Sequence, residues 1–232
     1  MIKYYWLILS LILLIISSVL FPSIFDRVKN STIIENNRST ESAPLSYIIL
    51  DGEAKKVPSF LMTNQNNLLI SNEDFKDKVY LVEFFFTSCT TICPIMNKNM
   101  KRLENIFGSR DDFGIASFTI DPDNDKPRVL KKYSELFEVF SKNWHFLTAD
   151  KKTVYDLSNK GFNIFSSINP EVADGFEHQG YFALVDKKGY IRSRLDSYGN
   201  PIVYYLGIDQ ENKQSIEGTD MLIKDIPKLF NE

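Results

Sequence analysis

Cysteine and histidine are scarce in this sequence, with two of each among 232 residues. Two cysteines are too few for a framework of disulfides, and they cannot form a zinc site made of four cysteines. An excess of basic charge is also missing, because 27 lysine and arginine residues face 30 acidic ones. The net charge of -3 excludes a polycationic surface for nucleic acid, so any macromolecular partner must be met through a local patch.

Apolar and aromatic residues are abundant. Hydrophobic residues make up 44% of the chain, which includes 18 Phe and 11 Tyr. This composition excludes a disordered chain, and at this length it predicts one principal domain around a single core.

The N-terminal region carries an uncharged stretch from Tyr4 to Phe25. About 20 apolar residues cross a bilayer as a helix, and the length favours a retained anchor over a cleaved signal peptide. The polar segment from Asp26 to Ser46 has the composition of a flexible tether. We therefore expect a membrane anchor at 1–25, a linker at 26–46 and a folded domain at 47–232.

The charges that flank the apolar stretch do not decide its orientation, since Lys3 precedes it while Arg27, Lys29 and Arg38 follow. No Arg-rich, acid-poor transit segment precedes it, which favours a bacterial cytoplasmic membrane. We expect the domain on the periplasmic or extracytoplasmic side because of the thiol chemistry described below.

Predicted strands and helices alternate along the domain. This rhythm predicts an α/β fold with a mixed central sheet flanked by helices. Strands are expected at Tyr47–Leu50, Val57–Leu61, Val79–Phe86, Phe113–Ile120, Trp144–Thr148 and Tyr181–Val185, a turn at 64–67, and helices from Pro94 to Phe107, Lys126 to Phe140 and Lys151 to Lys160.

Cys89 and Cys93 form the most informative pattern, a CxxxC pair between a buried strand and a helix start. At a spacing of four, both sulfurs can point the same way, and the positive end of the helix favours thiolate. A disulfide that serves only to stabilise the fold does not explain this spacing well, because closing so small a ring stabilises the fold by only about 2 kcal/mol. Redox or metal chemistry is the favoured interpretation.

A third metal ligand must come from elsewhere in the chain. His178 precedes a predicted strand in a loop, whereas His145 is interpreted as an ordinary strand residue. Two thiolates and one imidazole suit Cu(I), while structural zinc normally needs four protein ligands. Met96 and Met100 lie on the same helical face as Cys93, and core packing is their favoured role.

An acidic loop follows the next predicted strand, and it contains Asp121 and Asp125. If that strand is parallel to the cysteine strand, the loop lies at the same sheet edge as the cysteines. A turn followed by a helix start is the simpler interpretation. Alternatively, the two aspartates support the metal ligands or dock a partner.

Taken together, these segments resemble the Sco/SenC family of membrane-anchored, copper-binding proteins, which have a thioredoxin-like fold and serve cytochrome c oxidase assembly. The resemblance spans about Val57 to Phe230. It rests on FFFTSCTTICP at 84–94, TIDPDNDKP at 119–127, WHFLT at 144–148 and His178 ahead of LVD at 184–186. The chain departs from the family at Lys126, where Thr is common, and at the turn of Asn66 and Asn67, which lacks the usual Gly.

The resemblance implies that Cys89, Cys93 and His178 bind copper, as Cu(I) or Cu(II), and that the cysteines cycle between dithiol and disulfide. It implies a metallochaperone whose partner is the copper-bearing subunit of a haem-copper oxidase. The alternative function is a thiol-disulfide oxidoreductase without metal delivery. A thiol peroxidase is a third interpretation, disfavoured because no proline precedes Cys89 at the expected place.

Overall fold

The computed structural model describes residues 43–50, 52–196, 198–208 and 218–232, together with the single residue Leu14. The predicted anchor at 1–25, apart from Leu14, and most of the predicted linker lie outside these residues. None of the helices within the described ranges is long and apolar enough to cross a membrane. Residues from Thr40 to Glu232 belong to one compact unit.

The secondary structure of that unit alternates strands and helices. The strands are β1 Ser46–Tyr47, β2 Ile49–Leu50, β3 Glu53–Ala54, β4 Leu61–Asn64, β5 Leu69–Ser71, β6 Val79–Phe85, β7 Phe113–Thr119, β8 Trp144–Thr148, β9 Ser166–Ile168, β10 Phe176–His178, β11 Tyr181–Val185, β12 Ile191–Ser193 and β13 Tyr205–Leu206. The helices are α1 Cys93–Phe107, α2 Pro127–Leu136, α3 Lys151–Asp156 and α4 Gly218–Phe230, with short 3-10 turns at Asn72–Phe75 and Ala173–Gly175 and a π-helical turn at Leu157–Phe162.

Nine of the strands in the described residues form one mixed sheet, in the order β1-β12-β11-β6-β7-β8-β4-β5, with β13 paired to β11. The three central strands β6, β7 and β8 run parallel, while β11 and β4 run antiparallel to them. This confirms the predicted mixed sheet. Two small antiparallel sheets stand apart from it, and one of them pairs β9 with β10.

Strand β6 lies at the centre of the core. All seven of its residues are buried, as are all seven of β7, which is why both segments show near-continuous apolar sequence without alternation. The parallel register pairs Phe85 with Thr119, so the two strands end side by side. The loops that follow them therefore start at the same edge of the sheet.

The structure corrects several predicted boundaries. The segment Val57–Leu61 is not a strand; the strand begins at Leu61, after Pro58, which has no N–H to give to a ladder. The helix expected to reach Phe140 ends at Leu136, and Glu138 adopts a left-handed conformation with φ of 51°. The predicted turn after β4 is confirmed: the Asn64 side chain accepts hydrogen bonds from the N–H groups of Asn66 and Leu68.

Candidate metal centre

The cysteine turn, residues 86–92, connects the end of β6 to the start of α1. Cys89 lies within it, and Cys93 is the first residue of the helix, followed by Pro94, which suits a first turn. The backbone N–H of Cys93 donates to the Cys89 sulfur at 3.4 Å. Cys93 is fully buried, whereas Cys89 is 8% exposed, so the approach to the pair from solvent is on the Cys89 side.

His178 reaches the cysteines from the histidine hairpin, which we define as β9, β10 and the loop between them. Its Nε2 atom lies 3.3 Å from the Cys93 sulfur. The Sγ atoms of both cysteines and a ring nitrogen of His178 all lie within 4.8 Å of one another. The predicted trio is therefore gathered into one cluster that could hold a metal ion.

The two thiols have different environments. The hydrogen bond from the Cys93 side chain lowers the pKa of Cys89 to about 3, with further lowering by His178 and by the Cys93 N–H against the opposing effect of burial. Burial raises the pKa of Cys93, and so does its hydrogen bond to Cys89. The two shifts favour the thiolate on Cys89, at the start of α1, over the thiolate on the buried Cys93.

The imidazole of His178 packs against Phe86, with ring centroids 5.7 Å apart in an edge-to-face arrangement. Its Nδ1 atom is buried and has no hydrogen-bond partner within the described part of the chain. The ring nitrogen that could bind a metal is therefore Nε2, which faces the Cys93 sulfur, and no hydrogen bond to Nδ1 among the described residues sets the orientation of the ring.

Asp125 lies directly behind the cysteine turn. Its carboxylate accepts hydrogen bonds from the Thr87 N–H at 3.0 Å, from the Thr87 hydroxyl, and from the Thr119 hydroxyl at 2.5 Å. Burial raises the pKa of this carboxyl group. Asp125 therefore connects the acidic loop to the residue two positions before Cys89.

Asp121 is also buried, at the start of the acidic loop, where its carboxylate accepts from the Asn124 side chain at 2.8 Å. This contact shapes the loop itself, and the structure gives Asp121 no bond to the cysteine turn among the described residues. Strands β6 and β7 are parallel, as the prediction that the acidic loop lies beside the cysteines requires.

The remaining sulfur and imidazole groups have structural surroundings. Met96 and Met100 are fully buried in the core. His145 lies on β8, where its Nδ1 atom is 3.2 Å from the Asn64 amide nitrogen and its ring stands edge-on to Phe75. These observations agree with the core role predicted for the two methionines and with the prediction that His145 is an ordinary strand residue.

Sequence analysis missed a buried polar group beneath the site. Glu83 is fully buried in β6, and burial raises its pKa to about 7 although the Ser117 hydroxyl donates to it at 2.6 Å. Its Oε2 atom has no partner in the part of the chain that the structure describes. The signal was present in the sequence, as the only charge in the run VYLVEFFF at 79–86.

The fold and the site together define a thioredoxin-like α/β domain with two thiols and one imidazole gathered at the end of its central strands. The sequence model of the SCO1/SenC family matches residues 50–210, and the chain belongs to that family.

Similar proteins cover most of the domain. The SCO1 protein homolog of Bacillus subtilis (strain 168) is 36% identical over 150 residues, which are 64% of this chain and 73% of that protein. A protein of Stutzerimonas stutzeri named "Putative copper-binding protein" is 27% identical over 154 residues, or 64% of this chain and 72% of the relative. The solved structure of BsSco, described as a member of the Sco family of cytochrome c oxidase assembly proteins with a disulfide switch, has a TM-score of 0.62 at 31% identity, covering 82% of this chain and 96% of that one.

Proposed function

We propose that this chain is a membrane-anchored copper chaperone that binds copper through Cys89, Cys93 and His178. The observation that carries the proposal is the convergence of their three ligand atoms within 4.8 Å. Two thiolates and an imidazole are soft donors that suit copper, and a structural zinc site would need a fourth protein ligand. The name of the S. stutzeri relative supports the choice of metal.

The bound copper ion passes to an acceptor protein by exchange of ligands. Cys89 is the partly exposed sulfur, so an incoming ligand displaces it first, while the buried Cys93 leaves last. The acceptor we propose is the copper-bearing subunit of a haem-copper oxidase, since BsSco is described as an oxidase assembly protein. The chain delivers copper to that site or reduces its cysteines. Asp125 supports the cysteine turn, and Asp121 shapes the loop that meets the partner.

The proposed arrangement in the cell follows the sequence. Residues 1–25 anchor the chain in a bacterial cytoplasmic membrane, 26–46 form the linker, and 47–232 form the copper-binding domain on the extracytoplasmic side. A linker of about 20 residues has a root-mean-square reach of roughly 25 Å, which keeps the domain near a membrane-bound acceptor.

A thiol-disulfide oxidoreductase is the second candidate, favoured by the lowered pKa of Cys89. The Cys89 thiolate would attack a target disulfide, form a mixed disulfide and release one target thiolate. Cys93, after losing its proton, would then displace the second target thiol and close the Cys89–Cys93 disulfide, so that two electrons pass to the target.

Replacing His178 by Ala separates the two functions. We expect the Cu(I) affinity of the reduced protein to fall by at least tenfold, because one of three ligands is lost, while the rate of reduction of a model disulfide stays within about twofold. The matched control is His145→Ala, which removes the other histidine of the chain and leaves the cluster intact. Equal copper affinity in the wild type and in His178→Ala would reject the ligand assignment.

A further inference from the structure

The position of His178 depends on the segment that carries it. The histidine hairpin forms a two-stranded sheet of its own, separate from the central sheet that carries the cysteine turn. A metal-binding histidine is usually oriented by a hydrogen bond from its second ring nitrogen. The Nδ1 atom of His178 has no such partner among the described residues. The place of the imidazole beside the sulfurs therefore depends on the contacts that the rest of the hairpin makes.

Asp174, at the tip of the hairpin loop, provides the polar contact between the two segments. Its carboxylate accepts a hydrogen bond from the Thr90 N–H at 2.8 Å, and its two oxygens lie 2.8 and 3.0 Å from the Thr90 hydroxyl. Thr90 is the residue directly after Cys89. The carboxylate therefore joins the histidine hairpin to the turn between the two cysteines.

The backbone at Asp174 is held in an uncommon conformation to make this contact. Its φ is 68°, and Gly175 follows with a φ of 78°. Left-handed conformations are uncommon for residues other than glycine, although Asp tolerates them better than most. Glycine would adopt this backbone at less cost, but it would supply no acceptor for Thr90.

Hydrogen bonds within the hairpin connect the backbone at Asp174 to His178, four residues later. The N–H of Asn169 donates to the Gly175 carbonyl at 2.9 Å, and its side chain donates to Glu177 at 2.8 Å. The strands β9 and β10 pair up to His178, which lies opposite Ser166. These bonds close the loop on both sides of Asp174.

An aromatic contact supports the same docking. Phe176 packs against Phe86 of the cysteine turn with ring centroids 4.9 Å apart. Ring packing of this kind tolerates sliding, whereas the bonds between Asp174 and Thr90 are directional, and they set the register of the hairpin on the turn.

We propose that Asp174 is a positioning residue for the metal site, whose carboxylate, bonded to Thr90 between the two cysteines, holds the histidine hairpin so that His178 faces the sulfurs. This inference rests on the proposed function, since it assumes that His178 binds copper. Asp174 is not among the three clustered ligand groups, and its proposed effect on copper affinity is through the position of His178.

The test measures the Cu(I) affinity of the reduced, full-length chain by competition with a chromophoric chelator. Asp174→Gly removes the carboxylate and suits the positive φ, so the loss of the bond is separated from backbone strain. We expect affinity to fall by about tenfold, the lower end of the loss seen for groups bonded directly to a metal ligand, because Asp174 positions His178 through the hairpin and not through a bond to its ring. Asp174→Asn keeps one acceptor oxygen and is expected to lose less.

The matched control is Asp150→Asn. Asp150 also accepts from the N–H of a threonine, Thr153, at 3.0 Å and from its hydroxyl at 2.5 Å, but this pair caps α3 and does not join the hairpin to the cysteine turn. The copper affinity of the Asp150→Asn protein is expected to match that of the wild type. Electron paramagnetic resonance of the Cu(II)-loaded protein gives a second readout, because weaker nitrogen coupling in Asp174→Gly marks a displaced imidazole.

The deciding comparison uses a background that lacks the histidine. In His178→Ala, the further change Asp174→Gly is expected to leave copper affinity unchanged, since there is no imidazole left to position. A further loss of similar size in that background would overturn the inference, as would an unchanged affinity of Asp174→Gly in the wild-type background. If His178→Ala itself binds copper like the wild type, it is the proposed function that fails.

Discussion

At the scale of single residues, the site combines groups whose protonation states differ from those in solution. The pKa of Cys89 is lowered, mainly by its hydrogen bond with the Cys93 side chain, while burial raises the pKa of the fully buried Cys93. Binding of a soft cation to both sulfurs therefore needs the release of a proton from Cys93. The difference between the two thiols arises from position, because Cys89 accepts the first N–H of α1 while Cys93 lies inside the core.

Glu83 is the second residue with altered protonation, and it affects stability. An unfolded glutamate ionises near pH 4.3, whereas in the fold Glu83 keeps its proton until about pH 7. Between these values the folded state binds more protons at this group, so the contribution of Glu83 to the free energy of unfolding falls as pH rises from about 4 through 7, while the lowered pKa of Cys89 contributes in the opposite direction. The loss from this group is on the order of 3 kcal/mol.

We expect Glu83→Gln to remove this declining contribution in the metal-free protein, so that from pH 4.5 to pH 8 the wild type loses about 3 kcal/mol relative to the variant, because an amide of the same shape has no proton to release on unfolding. Urea denaturation at pH 4.5 and pH 8 measures it. The control is Glu104→Gln, another fully buried position, whose carboxylate is paired with Lys101 at 2.7 Å; the decline should persist there. A Glu83→Gln protein with the same decline as the wild type would contradict the account.

The residue types of the site were predictable from sequence, but their partners were not. Cys89, Cys93 and His178 are conspicuous because thiols and imidazoles are so few. By contrast, the bond between Asp174 and Thr90 joins residues 84 positions apart on two loops. No periodicity or spacing reports such a contact, because it exists only once both loops are folded.

At the scale of secondary-structure elements, two loops and a hairpin assemble the site at one sheet edge. The parallel pairing of β6 and β7 places the cysteine turn beside the acidic loop, and Asp125 ties the two together through Thr87. The carboxylate contributes two acceptor oxygens to buried donors. Loss of one acceptor leaves a buried donor unsatisfied, at a cost of about 1–3 kcal/mol.

Asp125→Asn is therefore expected to lower the free energy of unfolding by about 1–3 kcal/mol and to weaken Cu(I) binding, because the cysteine turn loses its support. Denaturant unfolding and copper competition measure the two effects. Asp123→Asn in the same loop is the matched control; Asp123 is exposed and pairs with Lys151, and because solvent screens such a pair, its loss should have little effect on stability. Equal effects of the two substitutions would show that Asp125 does not support the site.

The central elements were predictable because their patterns are strong, and the irregular ones were not. Strand β6 and helix α1 begin at or within one residue of the expected positions, owing to a continuous apolar run and to Pro94. The helix before β8 ends early, since the chain turns at Phe137, whose ring packs on Tyr133 at 5.0 Å. The short pairing of β9 with β10 had no signal of its own, although it carries His178.

At the scale of the whole molecule, the proposed function needs a carrier that the sequence preceding the described domain holds near a membrane. The apolar stretch from Tyr4 to Phe25 has no charge, and the polar segment after it separates it from the first strand, β1. The site lies at one edge of the sheet, with Cys89 as the partly exposed ligand, as transfer to another protein requires.

The orientation of the domain can be measured in intact cells. We expect a membrane-impermeant thiol reagent to label Cys89 in whole cells that express the full chain, because the proposed function places the domain outside the cytoplasmic membrane. Labelling after permeabilisation serves as the reference for the accessible thiol, and Cys89→Ser as the blank. A protein that is reduced and protected in intact cells, yet labelled after permeabilisation, would place the domain on the cytoplasmic side.

The most direct test of the central claim is X-ray absorption spectroscopy of the Cu(I)-loaded, full-length protein. The account predicts a shell of two sulfurs and one nitrogen in the wild type, the same shell in His145→Ala, and loss of the nitrogen in His178→Ala. A wild-type shell without nitrogen, or one that His178→Ala leaves unchanged, would contradict it.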